Sequence, residues 1–385
     1  MTTSQRSPTA DDFRAARAEV SRIVHTAQGP VEYAERGHGE AVLTIHGSQG
    51  GWDQGLVAGE YLRVNGFRII APSRPGYLGT PLSTGRTFAQ RGDALAALLD
   101  ALGIDRIMVI ATSGGGPAGY ELAARHGDRV SKLVQVDAVC LTDRGPGRLA
   151  QMAARDFPVQ AALWLLRHAT RSTLTALLRS FGTYTRHDAS EIAAMIAAVP
   201  GRTAWLEATL AASLGVARRR QGLKNDFTGS GPPAPLERIT CPTLIVHGRR
   251  DKVVPPAHAE YAHAHITGSE LYWMTGRTSL FSLRLPTPHR HTSPTGCATT
   301  GDPVGETCAT YRDRLRMSPS RWQRPATQVA PPAPDVPSPR KHRALRARTH
   351  LAAGLRGVRR GGTARARRLG GSRLRLNGRQ LLRRA

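Results

Sequence analysis

An apolar run, Ile107-Met108-Val109-Ile110, halts at Ala111-Thr112-Ser113 and three glycines, Gly114 to Gly116. A helical pattern then runs from Pro117 to His126. That order spells strand, sharp turn, helix. A serine at such a turn is pushed out of the sheet edge, where its hydroxyl can meet a base and a substrate. The backbone there is strained, so small residues must flank the serine; Ala111 and Gly115 take those places, giving small-x-Ser-x-Gly. The segment therefore marks Ser113 as a candidate nucleophile. The same letters also suit a plain connection, or a phosphate cradle at a helix start.

A second strand, Ala41 to Ile45, runs into His46-Gly47-Ser48-Gln49-Gly50-Gly51. A glycine-rich loop after a strand lets backbone N–H groups converge on one point, which acyl transfer needs for its developing oxyanion. The N–H groups of Ser48 and Gly114 are the candidate pair. His46, just before the loop, reads as a prop for it rather than a proton carrier. Further strands follow at Gly66 to Pro72 and Lys132 to Asp137, with a helix pattern from Phe88 to Leu102 between them. Strands alternating with helices imply an α/β fold with a mostly parallel sheet covered on both faces.

With these segments in view the chain resembles an α/β-hydrolase. The resemblance rests on Ile45-His46-Gly47, Ser73-Arg74-Pro75-Gly76-Tyr77, the turn around Ser113, Arg125 to Val130, and Cys241 to Asp251. It covers roughly residues 22 to 283. It implies a Ser–His–acid triad, an oxyanion hole and a helical cap inserted after the strand ending near Asp137. Asp251, in the loop after the strand Pro242 to His247, fits the acid; Asp137 is the second choice, and a turn-forming aspartate is the plain alternative. The implied domains are a first core part over 1–140, a cap over 141–235 and a last core part over 236–284. Helical patterns in the cap fall at Arg148 to Arg155, Val159 to His168, Ser172 to Phe181, Ser190 to Ala198 and Thr203 to Leu214. Phe157, Trp164, Leu165, Phe181 and Trp205 are candidates for the pocket lining or for helix-to-sheet packing. Arg218-Arg219-Arg220 reads as a solvated charge run.

The histidine implied by the resemblance should follow the last strand, Glu270 to Met274. Its expected position, 28 residues after Asp251, holds Ser279. A serine hydroxyl cannot act as a general base at neutral pH. His289 and His291 lie just beyond, and His289 is the candidate for the missing base. His258, His263 and His265 fall on the helix pattern after Asp251 and read as solvated surface residues.

Charge explains where the pattern changes. Residues 277–385 carry 24 of the 54 basic residues and 4 of the 28 acidic ones, and only Lys341 among those 24 is a lysine. Apolar periodicity is absent and the stretch Ala330 to Pro339 is proline-rich, so residues 285–385 are expected to be a disordered Arg/Pro-rich tail. Three readings of it stay open: an arm for nucleic acid or another anionic surface, binding without specificity; a solvated tail with no partner; or text translated out of frame from GC-rich DNA.

The four cysteines, Cys140, Cys241, Cys297 and Cys308, show no metal spacing, and Cys140 and Cys241 read as buried thiols in a reducing cytoplasm. Met1 to Glu19 lacks a signal-peptide core, and no run approaches a membrane span. No cofactor or metal motif is visible. The sequence thus points to a hydrolase of a small ester or related acyl substrate, impaired if the histidine is missing. The alternative is a non-catalytic relative that binds a ligand under its cap.

Overall fold

The computed structural model describes residues 6–141, 155–228 and 231–274. Short strands that are apolar along their whole length bury both faces only when helices cover a sheet from either side. That is the arrangement found. The strands β1 (Arg22–Thr26), β2 (Gly29–Arg36), β3 (Glu40–Ile45), β4 (Phe67–Pro72), β5 (Ile107–Thr112), β6 (Val130–Val136), β7 (Thr243–Gly248) and β8 (Glu270–Met274) form one eight-stranded sheet. Its order is β1-β2-β4-β3-β5-β6-β7-β8. The hairpin β1–β2 is antiparallel and β2 joins β4 antiparallel; the six strands from β4 to β8 across the sheet run parallel.

Alternate residues of each central strand feed two separate cores, because side chains alternate across a sheet. Val42, Ile69, Met108, Ile110, Val134 and Val246 point to one face, which α1 (Ala10–Arg17) and α2 (Trp52–Arg63) cover. Leu43, Ile45, Ile70, Val109, Leu133 and Ile245 point to the other, under α3 (Phe88–Ala101), α4 (Gly116–Arg125) and α10 (Ala257–His265). The helix α3 begins at a capping box, in which Thr87 Oγ1 accepts from the N–H of Gln90 and the Gln90 side chain accepts from the N–H of Thr87.

Among the described residues, five helices are inserted between β6 and β7: α5 (Asp156–His168), α6 (Thr170–Phe181), α7 (Arg186–Ala197), α8 (Pro200–Ala211) and α9 (Arg220–Phe227). Four of them overlap the helical patterns expected from the sequence; each starts two to four residues earlier, and α7 and α8 end at Ala197 and Ala211, short of the expected Ala198 and Leu214. The expected helix Arg148 to Arg155 lies largely outside the described residues, as does the tail. Helix α8 packs on α1 and α2. Its Trp205 is buried in the core, whereas Phe157, Trp164 and Leu165 on α5 are exposed and Phe181 is half-buried. Packing therefore accounts for Trp205.

The charge run at Arg218-Arg219-Arg220 is not a solvated run throughout. Arg218 and Arg220 are exposed, but Arg219 is buried and donates from Nη2 to Asp53 Oδ2 at 2.6 Å and from Nε to the Leu214 carbonyl at 3.0 Å. Among the described residues no helix is long and apolar enough to cross a membrane. Leu98 is fully buried between α3 and the sheet. Leu98→Ala is expected to cost about 2–5 kcal/mol of stability, read as a lower urea midpoint.

Candidate functional site

Strand β5 ends at Thr112, and the chain turns at Ser113 with φ 50°, the left-handed region that a serine enters only under constraint. A single helical turn, Ser113–Gly115, leads directly into α4, with a proline in its first turn. The constraint is visible on both sides. The Ser113 carbonyl accepts from the N–H of Val139 at 2.9 Å, which ties the turn to the exit of β6. A side chain at Gly115 would come within 2.5 Å of the His46 carbonyl, so only glycine lets the start of α4 approach the loop after β3.

That loop is closely fitted to the serine. A Cβ added at Gly47 would lie 3.3 Å from Ser113 Cβ. One added at Gly114 would lie 2.2 Å from Ser48 Oγ and 3.1 Å from Ser48 N. Ser48 is thus stacked directly on Gly114, and the two amides proposed from the sequence are neighbours. His46 holds this loop from below. It is buried; its Nδ1–H donates to the Gly47 carbonyl at 2.7 Å, and its Nε2 accepts from the N–H of Arg74 at 2.9 Å. Burial, then the adjacent Arg74 charge, lowers its pKa well below the usual imidazole value. A neutral ring with both nitrogens engaged is a prop, as its place in the sequence suggests.

The element that sequence reasoning missed is Asp226, near the end of α9. Its side chain is 5% exposed and collects five hydrogen bonds. Arg74 donates from Nη1 to Oδ1 and from Nη2 to Oδ2, both at 2.8 Å. Arg91 Nη1 donates to Oδ1 at 2.9 Å, Tyr77 OH to Oδ2 at 2.6 Å and Ser48 Oγ to Oδ2 at 2.9 Å. Arg74 also donates from Nε to the His46 carbonyl at 3.0 Å and from Nη2 to the Gly47 carbonyl at 3.2 Å. Two arginines are almost never buried without a carboxylate, so Arg74 and Arg91 carried a hint. Nothing in the sequence, however, said which acid would meet them across 135 and 152 residues.

The second half of the site lies at the ends of β6 and β7. Asp251 is buried in the loop after β7, and its Oδ1 accepts from the N–H groups of Val253 at 2.7 Å and Val254 at 2.9 Å. Asp137, also at a positive φ of 44°, is completely buried, and its Oδ1 accepts from the N–H of Gly248 at 2.8 Å. The sequence offered Asp137 and Asp251 as alternatives; the fold sets them side by side. With His247 they bring one ligating atom each to within 4.8 Å of one another, a donor set of metal-binding type. His247 Nε2–H already donates to the Val254 carbonyl at 2.9 Å. Burial first, and then the Asp251 charge, pushes Asp137 well above the usual carboxylate range, so a proton on Asp137 relieves the repulsion between the two acids.

The inserted helices reach this loop too. The end of α6 pairs with it, Gly182 bridging to Asp251 and the N–H of Thr183 donating to the Arg250 carbonyl at 2.9 Å. Two of the three histidines expected at the surface are not fully solvated: His265 is half-buried, its Nδ1–H donating to the Tyr261 carbonyl at 2.8 Å. His258 is half-buried, and its Nδ1 accepts from the N–H groups of Cys140 and Leu141, both at 3.0 Å, which anchors the chain leaving β6. Helix α10 leans its first turn on that exit, so the histidine has a backbone partner instead of water. His263 is exposed. Ser279 and His289 lie outside the described residues. Cys140 and Cys241 are buried free thiols, and burial pushes Cys140 up to about 12.

Burial alone would raise Asp226, but the Arg74 charge and hydrogen bonds outweigh it and hold the carboxylate at about 2, against an ordinary value near 3.8. A depressed pKa stabilises the fold above the unfolded value and is lost as pH falls toward the folded one. Asp226 should therefore contribute about 2 kcal/mol at pH 7 that disappears between roughly pH 4 and 2. In Asp226→Asn the fall in unfolding free energy from pH 7 to pH 3, read from urea titrations, should be smaller than the parent's by about 1 kcal/mol, roughly half of that contribution; an unchanged fall would rule out a charged Asp226.

Comparison with known proteins agrees with the architecture. A sequence profile described as alpha/beta hydrolase fold matches residues 40–275. The uncharacterized hydrolase YcgS of Bacillus subtilis (strain 168) is 29% identical over 254 residues, spanning 63% of this chain and 86% of that protein. The 2-hydroxy-6-oxo-6-phenylhexa-2,4-dienoate hydrolase of Comamonas testosteroni is 27% identical over 270 residues, 65% of this chain and 82% of the relative. A solved alpha/beta hydrolase fold protein from Nakamurella multipartita has a TM-score of 0.62 at 37% identity, covering 68% of this chain and 93% of that one. A profile spanning more than half of the sequence and a solved relative that is 37% identical and covered over 93% of its length lead to one conclusion: the chain belongs to the alpha/beta hydrolase fold family.

Proposed function

We propose that this chain is a serine hydrolase acting on a small ester or related acyl substrate. The observation that carries the reading is the left-handed backbone at Ser113, with Ser48 packed on Gly114 beside it. In this reading Ser113 Oγ attacks the acyl carbon. The N–H groups of Ser48 and Gly114 donate to the oxyanion of the tetrahedral intermediate, and such a pair contributes about 3–4 kcal/mol per donor. Asp251 accepts the N–H of a histidine ring and holds its tautomer, and the ring takes the Ser113 proton. His289 is the histidine assigned to that place, because Ser279 occupies the position where one is expected. The inserted helices, within the proposed cap over residues 141–235, cover the substrate. Their contacts with the loops of both Ser48 and Asp251 support that role. Named hydrolases among the relatives support the reaction class.

A second reading has one observation in its favour. Ser279 in place of a base suits a hydrolase-like protein that binds a ligand without turning it over. A fluorophosphonate probe separates the two. Labelling of the full chain that disappears in Ser113→Ala supports the enzyme, and the absence of labelling supports the binding protein.

On p-nitrophenyl acetate, Asp251→Asn should lower kcat by about 10⁴ and Ser113→Ala by at least as much. His289→Ala should fall in the same range. If its rate equals that of the parent, His289 is not the base.

A further inference from the structure

We propose that Asp226 is a positioning residue for acyl transfer: it fastens the last inserted helix to the oxyanion loop, so that covering the site and assembling its oxyanion donors are one event. The proposal rests on the serine hydrolase reading for its chemistry, but its geometry stands alone. Asp226 reaches the loop by two routes. The direct one is Ser48 Oγ donating to Oδ2 at 2.9 Å. The indirect one passes through Arg74, which grips the Asp226 carboxylate with both terminal nitrogens and holds the carbonyls of His46 and Gly47 with its remaining hydrogens. The residue whose amide is assigned to the oxyanion is therefore held by its own side chain and by the peptide before it.

The contact is a fitted one. A Cβ at Gly222 would lie 2.1 Å from the Tyr77 ring, so α9 lies flush on the loop after β4. The N–H of Gly222 donates to the Gly76 carbonyl at 2.8 Å, and the N–H of Leu78 donates to the Arg218 carbonyl at 2.9 Å. These backbone bonds bring the helix in; the Asp226 carboxylate then completes the loop beneath it. Ser48 Oγ has little room to do otherwise, since it overlies Gly114 at a distance that excludes any side chain there. Replacing a buried ion cluster by apolar groups commonly stabilises a protein. A cluster aimed at the Ser48 hydroxyl and the Gly47 carbonyl supplies what apolar packing cannot, a fixed direction for the next amide.

Two substitutions separate positioning from bulk stability. Ser48→Ala keeps the backbone N–H and removes the direct tether. Asp226→Asn keeps the shape and removes the charge that holds Arg74. Hydrogen exchange of the full chain, followed on the peptide that includes Gly47 to Gly51, reads the loop without any need for turnover. The loop should exchange about tenfold faster in Asp226→Asn and in Ser48→Ala, and no faster than the parent in Leu98→Ala, which loosens the core elsewhere. With p-nitrophenyl acetate, both variants should lose about 10- to 100-fold in kcat with KM within twofold, and the double variant should lose far less than the product of the two.

Loop exchange unchanged in Asp226→Asn overturns the proposal. So does a kcat loss that multiplies fully in the double variant, or a rise in KM at constant kcat. The hydrolase reading fails in a different way: the parent itself is unlabelled by fluorophosphonate, while loop exchange still depends on Asp226.

Discussion

The backbone at Ser113 is the constraint on which the site depends. A left-handed serine costs free energy on the order of 1–3 kcal/mol, and it persists only when its surroundings leave no alternative. Here the surroundings are the tie from Val139 to the Ser113 carbonyl, the close approach of Gly115 to the loop after β3, and the axis of α4 packed on the sheet. A relaxed turn would let Ser113 fall back along the strand and pull α4 off the His46 carbonyl. The strain is thus held by the same packing that makes the central sheet.

Around that turn the site is assembled from parts of the chain that are far apart in sequence. The loop after β3 supplies Ser48, the loop after β4 supplies Arg74 and Tyr77, α3 supplies Arg91, and the inserted α9 supplies the one acid that satisfies them all. The cluster holds two guanidinium groups against a single carboxylate, so the neutral, buried His46 beside it is an electrostatic necessity as well as a mechanical one. A protonated ring there would add a third positive charge to a space with one negative.

On the other side of the sheet's carboxyl edge the charge balance is reversed. Asp137 and Asp251 are both buried, and each has one oxygen on backbone N–H groups, with His247 alongside. Two carboxylates this close do not both ionise readily, and the fully enclosed Asp137 is the one that burial selects to stay protonated. Asp251, with two backbone donors on one oxygen, is the better anion. The division of labour comes from solvation and hydrogen bonding, since the two residues are chemically identical.

Much of the fold was legible because local pattern carries it. The strand–turn–helix from Ile107 to His126, the strands before Ser48 and before Asp251, and four of the inserted helices follow from apolar periodicity and from small residues at turns. The edge hairpin β1–β2 was not legible: Gly29 to Arg36 mixes charged and apolar residues, and it sits as a strand between β1 and β4. Arg219 looked like part of a solvated charge run, and nothing in the sequence singled out Asp226. The half-buried His258 and His265 looked no different from the exposed His263. What decides these cases is which distant surface closes over them. The sequence alone determined the order of elements and the turn that carries Ser113, since both are written in neighbouring residues. Only the tertiary structure decided which charges meet, because an ion pair spanning more than a hundred residues leaves no local trace and is set by how helices dock on the sheet.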